Sequence, residues 1–364
     1  MTLHKEISFE EEIGQQLGAN GWLYAEKDAG GYDRKQALFP SDLVEWVKVS
    51  QPKAWEALEK NHGKAAEATL LERVRNQIDQ RGTIDVLRHG VELVGLKAPL
   101  QLAVFKPALP TPEILARYAA NRLRVVRQVR YSPHNENSID LVLFLNGVPV
   151  ATAELKTDFT QSVEDAVFQY RHDRHPRPKG QEPEKLLSFP NGALVHFAVS
   201  NSEVQMTTRL EGEKTLFLPF NQGDDGGAGN PVNPNGGHRT AYLWEKVWAR
   251  ESWLEILGRY IIAQRDKKKL VERIIFPRYH QLDVTRQLQA AVLKEGPGGK
   301  YLIQHSAGSG KTNSIAWAAH FLAELHDANK QKVFNTVLVV SDRTVIDTQL
   351  QEALFDFQRQ TGVV

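Results

Sequence analysis

The stretch from residue 138 to residue 156, SIDLVLFLNGVPVATAELK, constrains the fold more than any other part of the sequence. Two nearly uninterrupted apolar runs flank Asn146-Gly147, a dipeptide that favours the two-residue turn of a β-hairpin. Short apolar runs of this kind are typical of strands that are buried on both faces. Residues 194–200, LVHFAVS, predict a further buried strand. The sequence therefore predicts a buried sheet.

The segments before the hairpin alternate between helical and strand patterns. Apolar residues at helical spacing predict a first helix over residues 9–17, and further helices at 65–80 and 111–121. β-branched and alternating residues predict strands at 101–105 and 122–131. The first domain is therefore expected to be of mixed α and β structure.

The length and the local composition predict the domain organisation. A chain of 364 residues exceeds one ordinary core and fits two domains of common size. Residues 221–240 are rich in Gly, Asn, Asp and Pro, which predicts an exposed, mobile loop. Residues 242–262 have helical spacing, and a charged run follows them. We predict a first domain over 1–200, a connecting segment over 201–265 and a second domain over 266–364.

Composition excludes some classes of protein. No apolar run approaches the roughly 20 residues that cross a bilayer, and the first residues lack the apolar core of a secretory signal. The chain has no cysteine, so that a bound metal has to use oxygen or nitrogen ligands. A net charge of +1 decides nothing about nucleic acid. We therefore expect a cytoplasmic protein with no membrane role.

Residues 305–312, HSAGSGKT, match the phosphate-binding P-loop pattern, except that His305 stands where the first glycine usually lies. Glycines let backbone N–H groups close around phosphate oxygens, and the helix that follows adds its positive end. In such loops Lys311 reaches the β and γ phosphates, and the Thr312 hydroxyl can hold Mg²⁺. The residues predicted to surround the phosphates of ATP are Ala307, Gly308, Ser309, Gly310, Lys311 and Thr312.

The surroundings of this loop support its assignment. Residues 301–305 and 336–340 are predicted strands and residues 313–325 a predicted helix, which together make a βαβ unit and the beginning of a parallel sheet. Upstream, Gln281 follows Tyr-His, and a glutamine can pair with both the donor and the acceptor on an adenine edge. A polar helix start is an equally simple reading of Tyr-His-Gln in isolation.

The hairpin carries a second candidate site. Asp140, Glu154 and Lys156 lie at its open end. Two carboxylates supply hard oxygen ligands for Mg²⁺, and a lysine on the same strand face as Glu154 can orient a water molecule and offset charge on a phosphate. Hydrolysis of a phosphodiester is the reaction that this set favours. Solvated strand ends are the alternative, but charges at the end of a buried strand are costly unless they are paired or bind a ligand.

A shared metal site sets a condition on the register of the hairpin. A two-residue turn at Asn146-Gly147 puts Asp140 and Glu154 on opposite faces of the sheet. A three-residue loop, which pairs Leu145 with Pro149, brings the two carboxylates opposite each other. We predict that register or a bulge equivalent to it.

Other polar residues are candidates for the same site. Residues 163–171 predict a helix that carries Gln169, Tyr170 and Arg171 and that could contact a DNA phosphate, although an exposed helical face explains the pattern nearly as well. Glu10 shares a face of the first helix with apolar residues and is a candidate metal ligand. An acidic first turn is equally explained by the helix dipole.

The order of these motifs resembles the R subunit of type I restriction endonucleases, HsdR, over essentially the whole chain. Landmarks such as NSIDLVLFLNG, FLPFNQG, YLWEKV and QHSAGSGKT occur in the order of that family. The resemblance implies an α/β fold: a mixed-sheet PD-(D/E)XK nuclease domain followed by the P-loop start of a parallel-sheet RecA-like motor. It implies Mg²⁺ and ATP as cofactors, double-stranded DNA as substrate, and modification and specificity subunits as partners.

The resemblance also assigns roles to matching positions. Its nuclease positions are the metal ligands Asp140, Glu154 and the Leu155 backbone carbonyl, the catalytic Lys156, and the accessory Gln169 and Tyr170. It further implies that Gln281 reads adenine and that Arg343, in a motif that follows the P-loop, contacts the DNA backbone.

The sequence departs from that family in two respects, and two other functions stay open. Ile139 stands where the name-giving proline lies, and no acidic motif of a complete ATPase follows before Val364, so that a fragment of a longer protein is expected. A DNA-repair helicase-nuclease would use the same two modules to process DNA ends without a methyltransferase partner. A non-catalytic assembly or DNA-docking module would use neither chemistry.

Overall fold

In the part of the chain that the structure describes, six α-helices in succession precede the first strand. The computed structural model describes residues 6–159 and 161–341. The helices are α1 (Glu6–Ala19), α2 (Pro40–Ser50), α3 (Pro52–His62), α4 (Ala66–Arg81), α5 (Thr83–His89), α6 (Pro112–Ala119), α7 (Val163–His172), α8 (Arg250–Glu255), α9 (Tyr279–Glu295) and α10 (Lys311–Ala323). The strands are β1 (Leu123–Arg130), β2 (Ser138–Leu145), β3 (Val148–Leu155), β4 (Val195–Val199), β5 (Val204–Thr207), β6 (Leu218–Pro219), β7 (Ile262–Arg265) and β8 (Val271–Ile275).

A mixed six-stranded sheet is the framework of the first two thirds of the chain. Its strands lie in sequence order from β1 to β6, and a separate two-stranded sheet consists of β7 and β8. Neighbouring strands of the large sheet are antiparallel except β3 and β4, which are parallel and are joined through α7. The predicted mixed sheet is therefore confirmed, and its one parallel pair lies beside the strand that carries Glu154.

The β2–β3 hairpin combines a two-residue turn with a bulge. Asn146 and Gly147 both have positive φ angles, 50° and 81°, and the turn pairs Leu145 with Val148. The register then shifts, so that Leu143 pairs with Ala151 and Val150 is left as an extra residue. The carboxylates of Asp140 and Glu154 are thereby brought onto one face of the sheet. The predicted bulge equivalent is confirmed.

Both faces of the sheet are covered. Leu141 and Leu143 of β2 belong to a large apolar cluster that includes α1 and the helices after it, whereas Val142 and Phe144 belong to a second cluster that includes α7. Helix α1 forms where it was predicted because Phe9, Ile13 and Leu17, each four residues from the next, all enter the first cluster. Burial on both sides explains the unbroken apolar runs of the hairpin.

The predicted connecting segment, residues 201–265, contributes to the same sheet and the same core. Strands β5 and β6 extend the sheet, and the Trp248 and Trp253 side chains beyond them are fully buried. Residues 221–240 contain neither helix nor strand and are largely exposed, although Asn230 and His238 within them are buried. Residues 242–262 form α8 between two π-helical turns, Leu243–Val247 and Ile256–Tyr260, instead of one continuous helix.

The strand predicted at residues 101–105 is wrong. Among the described residues this segment joins no ladder, because side chains take up its backbone groups. The Gln101 carbonyl accepts from Trp46 Nε1 at 2.9 Å and from Gln51 Nε2 at 2.8 Å. Asn121 binds both the N–H and the carbonyl of Val104. The β-branched pattern therefore reflects burial and not strand pairing.

The parallel sheet predicted around the phosphate-binding loop is absent from the described residues. The predicted helix is confirmed as α10, but residues 301–305 and 336–340 are irregular. Leu302 is 92% exposed and Val340 82% exposed, so neither segment is covered on both faces as a parallel strand requires. Two such segments cannot form a stable sheet without further strands beside them. The described residues include no helix long and apolar enough to span a membrane.

A substitution at Gly147 tests whether close packing against α2 holds the hairpin turn in place. A Cβ atom at this position would lie 2.5 Å from the Phe39 carbonyl oxygen and 2.8 Å from the Leu43 nitrogen, at a φ of +81°. We expect Gly147→Ala to lower the free energy of unfolding by about 2–4 kcal/mol, measured by urea denaturation. Gly180→Ala is the matched control, because Gly180 has a φ of +76° but no heavy atom within 4 Å of its added Cβ. Equal losses in the two variants would contradict the anchoring.

Candidate active site

Asp140 and Glu154 meet at the open end of the hairpin. Asp140 Oδ2 accepts a hydrogen bond from the Leu155 N–H at 2.8 Å, which fixes it beside β3. Glu154 is fully buried, and its Oε2 atom has no hydrogen-bond donor among the described residues. Burial, together with the negative charge of Asp140, raises the pKa of Glu154 well above its ordinary value. A cation beside the pair would stabilise the ionised form that burial disfavours.

Arg174 supplies one positive charge to this pair. Its Nε atom donates to Glu154 Oε1 at 2.6 Å, and both side chains are buried. Arg174 was not predicted as a site residue. The signal available in the sequence was indirect: a carboxylate at the end of a buried strand needs a partner, and the basic run HDRHPR follows α7.

Lys156 lies two residues after Glu154 and continues the pairing of β3 with β4. Its backbone N–H donates to the Val199 carbonyl at 2.8 Å, and its side chain is 7% exposed. Residues two apart in a strand point to the same face. The structure therefore brings Asp140, Glu154 and Lys156 to the same end of strands β2 and β3.

Glu10 reaches the site from α1. It is 2% exposed, and its carboxylate accepts from Gln128 Nε2 at 2.8 Å and from Arg127 Nε at 3.2 Å. Gln128 Nε2 also donates to Asp140 Oδ1 at 3.2 Å, so that Glu10 lies one hydrogen-bonded residue away from Asp140. Burial and the charge of Asp140 raise the pKa of Glu10 to about 7.

The residues present fit a magnesium ion. Within the part of the chain that the structure describes, no three His, Asp or Glu side chains are gathered so that they could hold a metal. Mg²⁺ needs fewer, because proteins usually bind it through one or two carboxylates and leave the other positions to water and phosphate oxygens. The bare, buried Glu154 Oε2 and the adjacent Asp140 are such a pair. The Leu155 carbonyl as a further ligand stays a prediction.

Of the residues predicted on α7, Tyr170 and Arg171 make hydrogen bonds to groups other than the two carboxylates. Tyr170 is fully buried, and its hydroxyl is 2.7 Å from Thr152 Oγ1, which lies 2.7 Å from His196 Nδ1. Burial and the nearby charge of Glu154 raise the pKa of Tyr170 well above its ordinary value. Gln169 Oε1 is buried and has no hydrogen-bond donor among the described residues. Arg171 donates to the Thr215 carbonyl at 3.0 Å.

The phosphate-binding loop forms a second candidate site in front of α10. Gly308 and Gly310 both have positive φ, 74° and 80°, and the helix begins at Lys311. Lys311 Nζ folds back to donate to the Ser306 carbonyl at 2.9 Å. Thr312 lies in the first turn of the helix, as a magnesium-binding threonine of such a loop does.

Gln281, the predicted reader of adenine, is buried against this loop. Its Oε1 accepts from the Arg278 N–H at 2.9 Å, and its Nε2 donates to the Gly310 carbonyl at 2.9 Å. The amide therefore fastens the loop to the first turn of α9. Its predicted contact with adenine is untested, and Arg343, a predicted DNA contact, lies outside the described residues.

Comparisons with known proteins relate both halves of the chain to restriction enzymes. Residues 10–215 match the family model described as type I restriction enzyme R protein N terminus, and residues 274–362 match that of the type III restriction enzyme res subunit. Because the first match covers more than half of the 364 residues, the chain belongs to the type I restriction enzyme R protein family.

A curated relative agrees with this assignment. The chain is 25% identical over 233 residues to a protein of Methanocaldococcus jannaschii described as a putative type I restriction enzyme MjaVIIIP endonuclease subunit. The aligned part is 62% of this chain but only 20% of that relative. The chain therefore spans about a fifth of the length of the relative that it matches.

The pKa of Glu10 predicts how the stability of the chain depends on pH. The carboxyl titrates near 4.5 when unfolded and near 7 when folded, so the stability that protonated Glu10 contributes is complete below about pH 4.5 and is lost as the pH rises through about 7. We expect Glu10→Gln to be only slightly more stable than the wild type at pH 5 and to be more stable by roughly 1–3 kcal/mol at pH 8.

Urea denaturation of the chain without divalent ions measures this difference. Glu26→Gln is the control because Glu26 is exposed, and it should change stability little at either pH. A Glu10→Gln effect of the same size at pH 5 and pH 8 would show that Glu10 does not bind its proton in this window.

Proposed function

We propose that this chain is the nuclease and nucleotide-binding part of the restriction and motor subunit of a type I restriction-modification complex. The complex cleaves unmethylated double-stranded DNA at a magnesium site and moves DNA with ATP. One observation carries the proposal: the bulge at Val150 brings Asp140 and Glu154 onto one face, beside Lys156. Neither packing nor the turn requires three charged groups at that point, whereas metal-assisted phosphodiester hydrolysis uses such a set.

Each residue of the first site has its own role in DNA cleavage. Asp140 and the free Oε2 of Glu154 hold Mg²⁺, with the Leu155 carbonyl as a further oxygen ligand. When bound, this ion stabilises the negative charge that develops on the phosphate. Lys156 orients the attacking water and adds a positive charge on the same face. Gln169 and Tyr170 support the site from α7, and Arg171 contacts the DNA backbone from the end of that helix.

The second site binds ATP through its phosphates. The backbone N–H groups of residues 307–310 surround the phosphate oxygens, and the start of α10 adds its partial positive charge. Lys311 exchanges its bond to the Ser306 carbonyl for the β and γ phosphates, and Thr312 holds the accompanying Mg²⁺. Gln281 reads the adenine edge from the position where it fastens the loop.

Partners supply what this chain does not. We place recognition of the DNA sequence in a specificity subunit and methylation in a modification subunit, because a type I restriction-modification complex assigns these two functions to subunits other than the R protein. The family match and the described M. jannaschii relative support membership of such a complex. Arg343, beyond the described residues, is assigned to the DNA backbone along which the motor moves.

Lys156→Ala tests the nuclease assignment. We expect cleavage of unmethylated circular DNA to fall about 100-fold or more while ATP hydrolysis continues, because only the group beside the scissile phosphate is lost. The measurement uses the full-length subunit reconstituted with its modification and specificity partners. Lys179→Ala is the control, since Lys179 is an exposed lysine of the same part of the chain. Undiminished cleavage by Lys156→Ala would place the nuclease elsewhere.

Lys311→Ala tests the nucleotide site independently. Loss of a charged hydrogen bond to phosphate should weaken ATP binding by the full-length subunit about 10-fold or more in calorimetry. Lys300→Ala removes an exposed lysine shortly before the loop and should bind ATP like the wild type. Equal affinities of Lys311→Ala and the wild type would remove the motor assignment and leave the nuclease assignment intact.

A further inference from the structure

Gln128 has an unusual backbone for a residue inside a strand. Its φ angle is +50°, in the left-handed region that residues other than glycine rarely adopt. The neighbouring residues of β1 pair normally, Arg127 with Leu141 and Val129 with Ile139. The distortion is therefore confined to one residue, and that residue lies opposite Asp140.

The distortion changes where two successive side chains point. In a regular strand, neighbouring side chains lie on opposite faces of the sheet. Here Arg127 and Gln128 both bind the carboxylate of Glu10, through Oε2 at 3.2 Å and Oε1 at 2.8 Å. The same Gln128 Nε2 donates to Asp140 Oδ1 at 3.2 Å, and Gln128 Oε1 accepts from Ser138 Oγ at 2.9 Å. One amide thus joins α1, β1 and β2 at the carboxylates.

Stability alone does not account for this arrangement. Gln128 is exposed and belongs to neither apolar cluster, so that the strained backbone gains no core packing. Hydrogen bonds of an exposed amide replace bonds to water and contribute little. Strained residues persist where the surroundings impose them, and they concentrate at functional sites. The two groups that accept hydrogen bonds from Gln128 Nε2 are carboxylates that repel each other.

We propose that Gln128 is a positioning residue for the divalent cation. Its amide holds Glu10 and Asp140 at a fixed separation in spite of their repulsion. Asp140 can then present its oxygen to the ion, and Glu10 adds negative charge close to Asp140. This role rests on the proposed magnesium site. Gln128 does not touch the reacting atoms, and it acts through Asp140 and Glu10.

Two substitutions separate the amide from the backbone. Gln128→Ala removes the amide and keeps an L residue at positive φ, whereas Gln128→Gly removes the amide and relieves the strain. We expect both variants of the full 364-residue chain to bind Mn²⁺ roughly 10-fold more weakly than the wild type, as is usual for residues that orient a metal ligand. In urea denaturation, Gln128→Gly should unfold at a higher concentration than Gln128→Ala.

Calorimetric titration with Mn²⁺, in the absence of nucleotide, measures the affinity. Lys269→Gly is the matched control: Lys269 is exposed and has a φ of +64°, but it lies in the loop between β7 and β8. Its replacement should raise stability and leave Mn²⁺ binding unchanged. Asp140→Asn shows whether the ion binds at the proposed site at all.

Each result decides between the alternatives. Weak binding by both Gln128 variants, with different stabilities, establishes the positioning role. Wild-type or tighter binding by both overturns it. Binding that is weak in Gln128→Ala and restored in Gln128→Gly also overturns it, since affinity then follows backbone strain. If Asp140→Asn binds Mn²⁺ like the wild type, the magnesium site itself is wrong and the role of Gln128 falls with it; intact dependence on Asp140 limits any failure to Gln128.

Discussion

The pairing of β2 with β3 is the constraint on which the site depends. The turn cannot adjust, because Asn146 Nδ2 donates to the Leu102 carbonyl at 2.8 Å and Gly147 lies against the start of α2. A regular ladder from this turn would alternate the two carboxylates onto opposite faces. The extra residue, Val150, corrects the alternation within the hairpin. A bulge at this buried point of the β2–β3 pair interrupts the ladder of hydrogen bonds. Its structural effect is that Asp140 and Glu154 lie on the same face of the sheet.

That shared face concentrates buried charge. Gln128 joins Asp140 to Glu10 by hydrogen bonds, and Glu154 lies near enough to Asp140 to feel its charge. Arg127 binds Glu10, and Arg174 binds Glu154. Desolvation penalises ionised carboxylates, which is why the pKa values of Glu10 and Glu154 are both raised. A divalent cation would favour the ionised forms and offset this penalty. Strain and unfavourable burial thus fall on the groups that the proposed reaction uses, as expected when function opposes stability.

The sequence allowed prediction of what depends on neighbouring residues. Turn chemistry predicted the Asn146-Gly147 hairpin. The condition that Asp140 and Glu154 lie on one face of the sheet predicted the bulge. Arg174 could not be predicted, because its contact with Glu154 depends on how α7 crosses the sheet. Gln128 was missed for a similar reason: no propensity marks a positive φ inside a strand. Residues 101–105 misled because burial and strand pairing select the same apolar side chains.

Packed side chains connect the large sheet to the helices beside the phosphate-binding loop. Trp317 of α10 donates through Nε1 to the Tyr260 carbonyl at 3.0 Å, and the Tyr260 hydroxyl is 2.8 Å from Thr285 of α9. The residues around Tyr260 share one apolar cluster with the strand that carries Glu154. Gln281 continues this contact into the backbone of the phosphate-binding loop. Because these packed side chains connect the two candidate sites, a rearrangement of the loop has to be accommodated by the core that also supports the carboxylates.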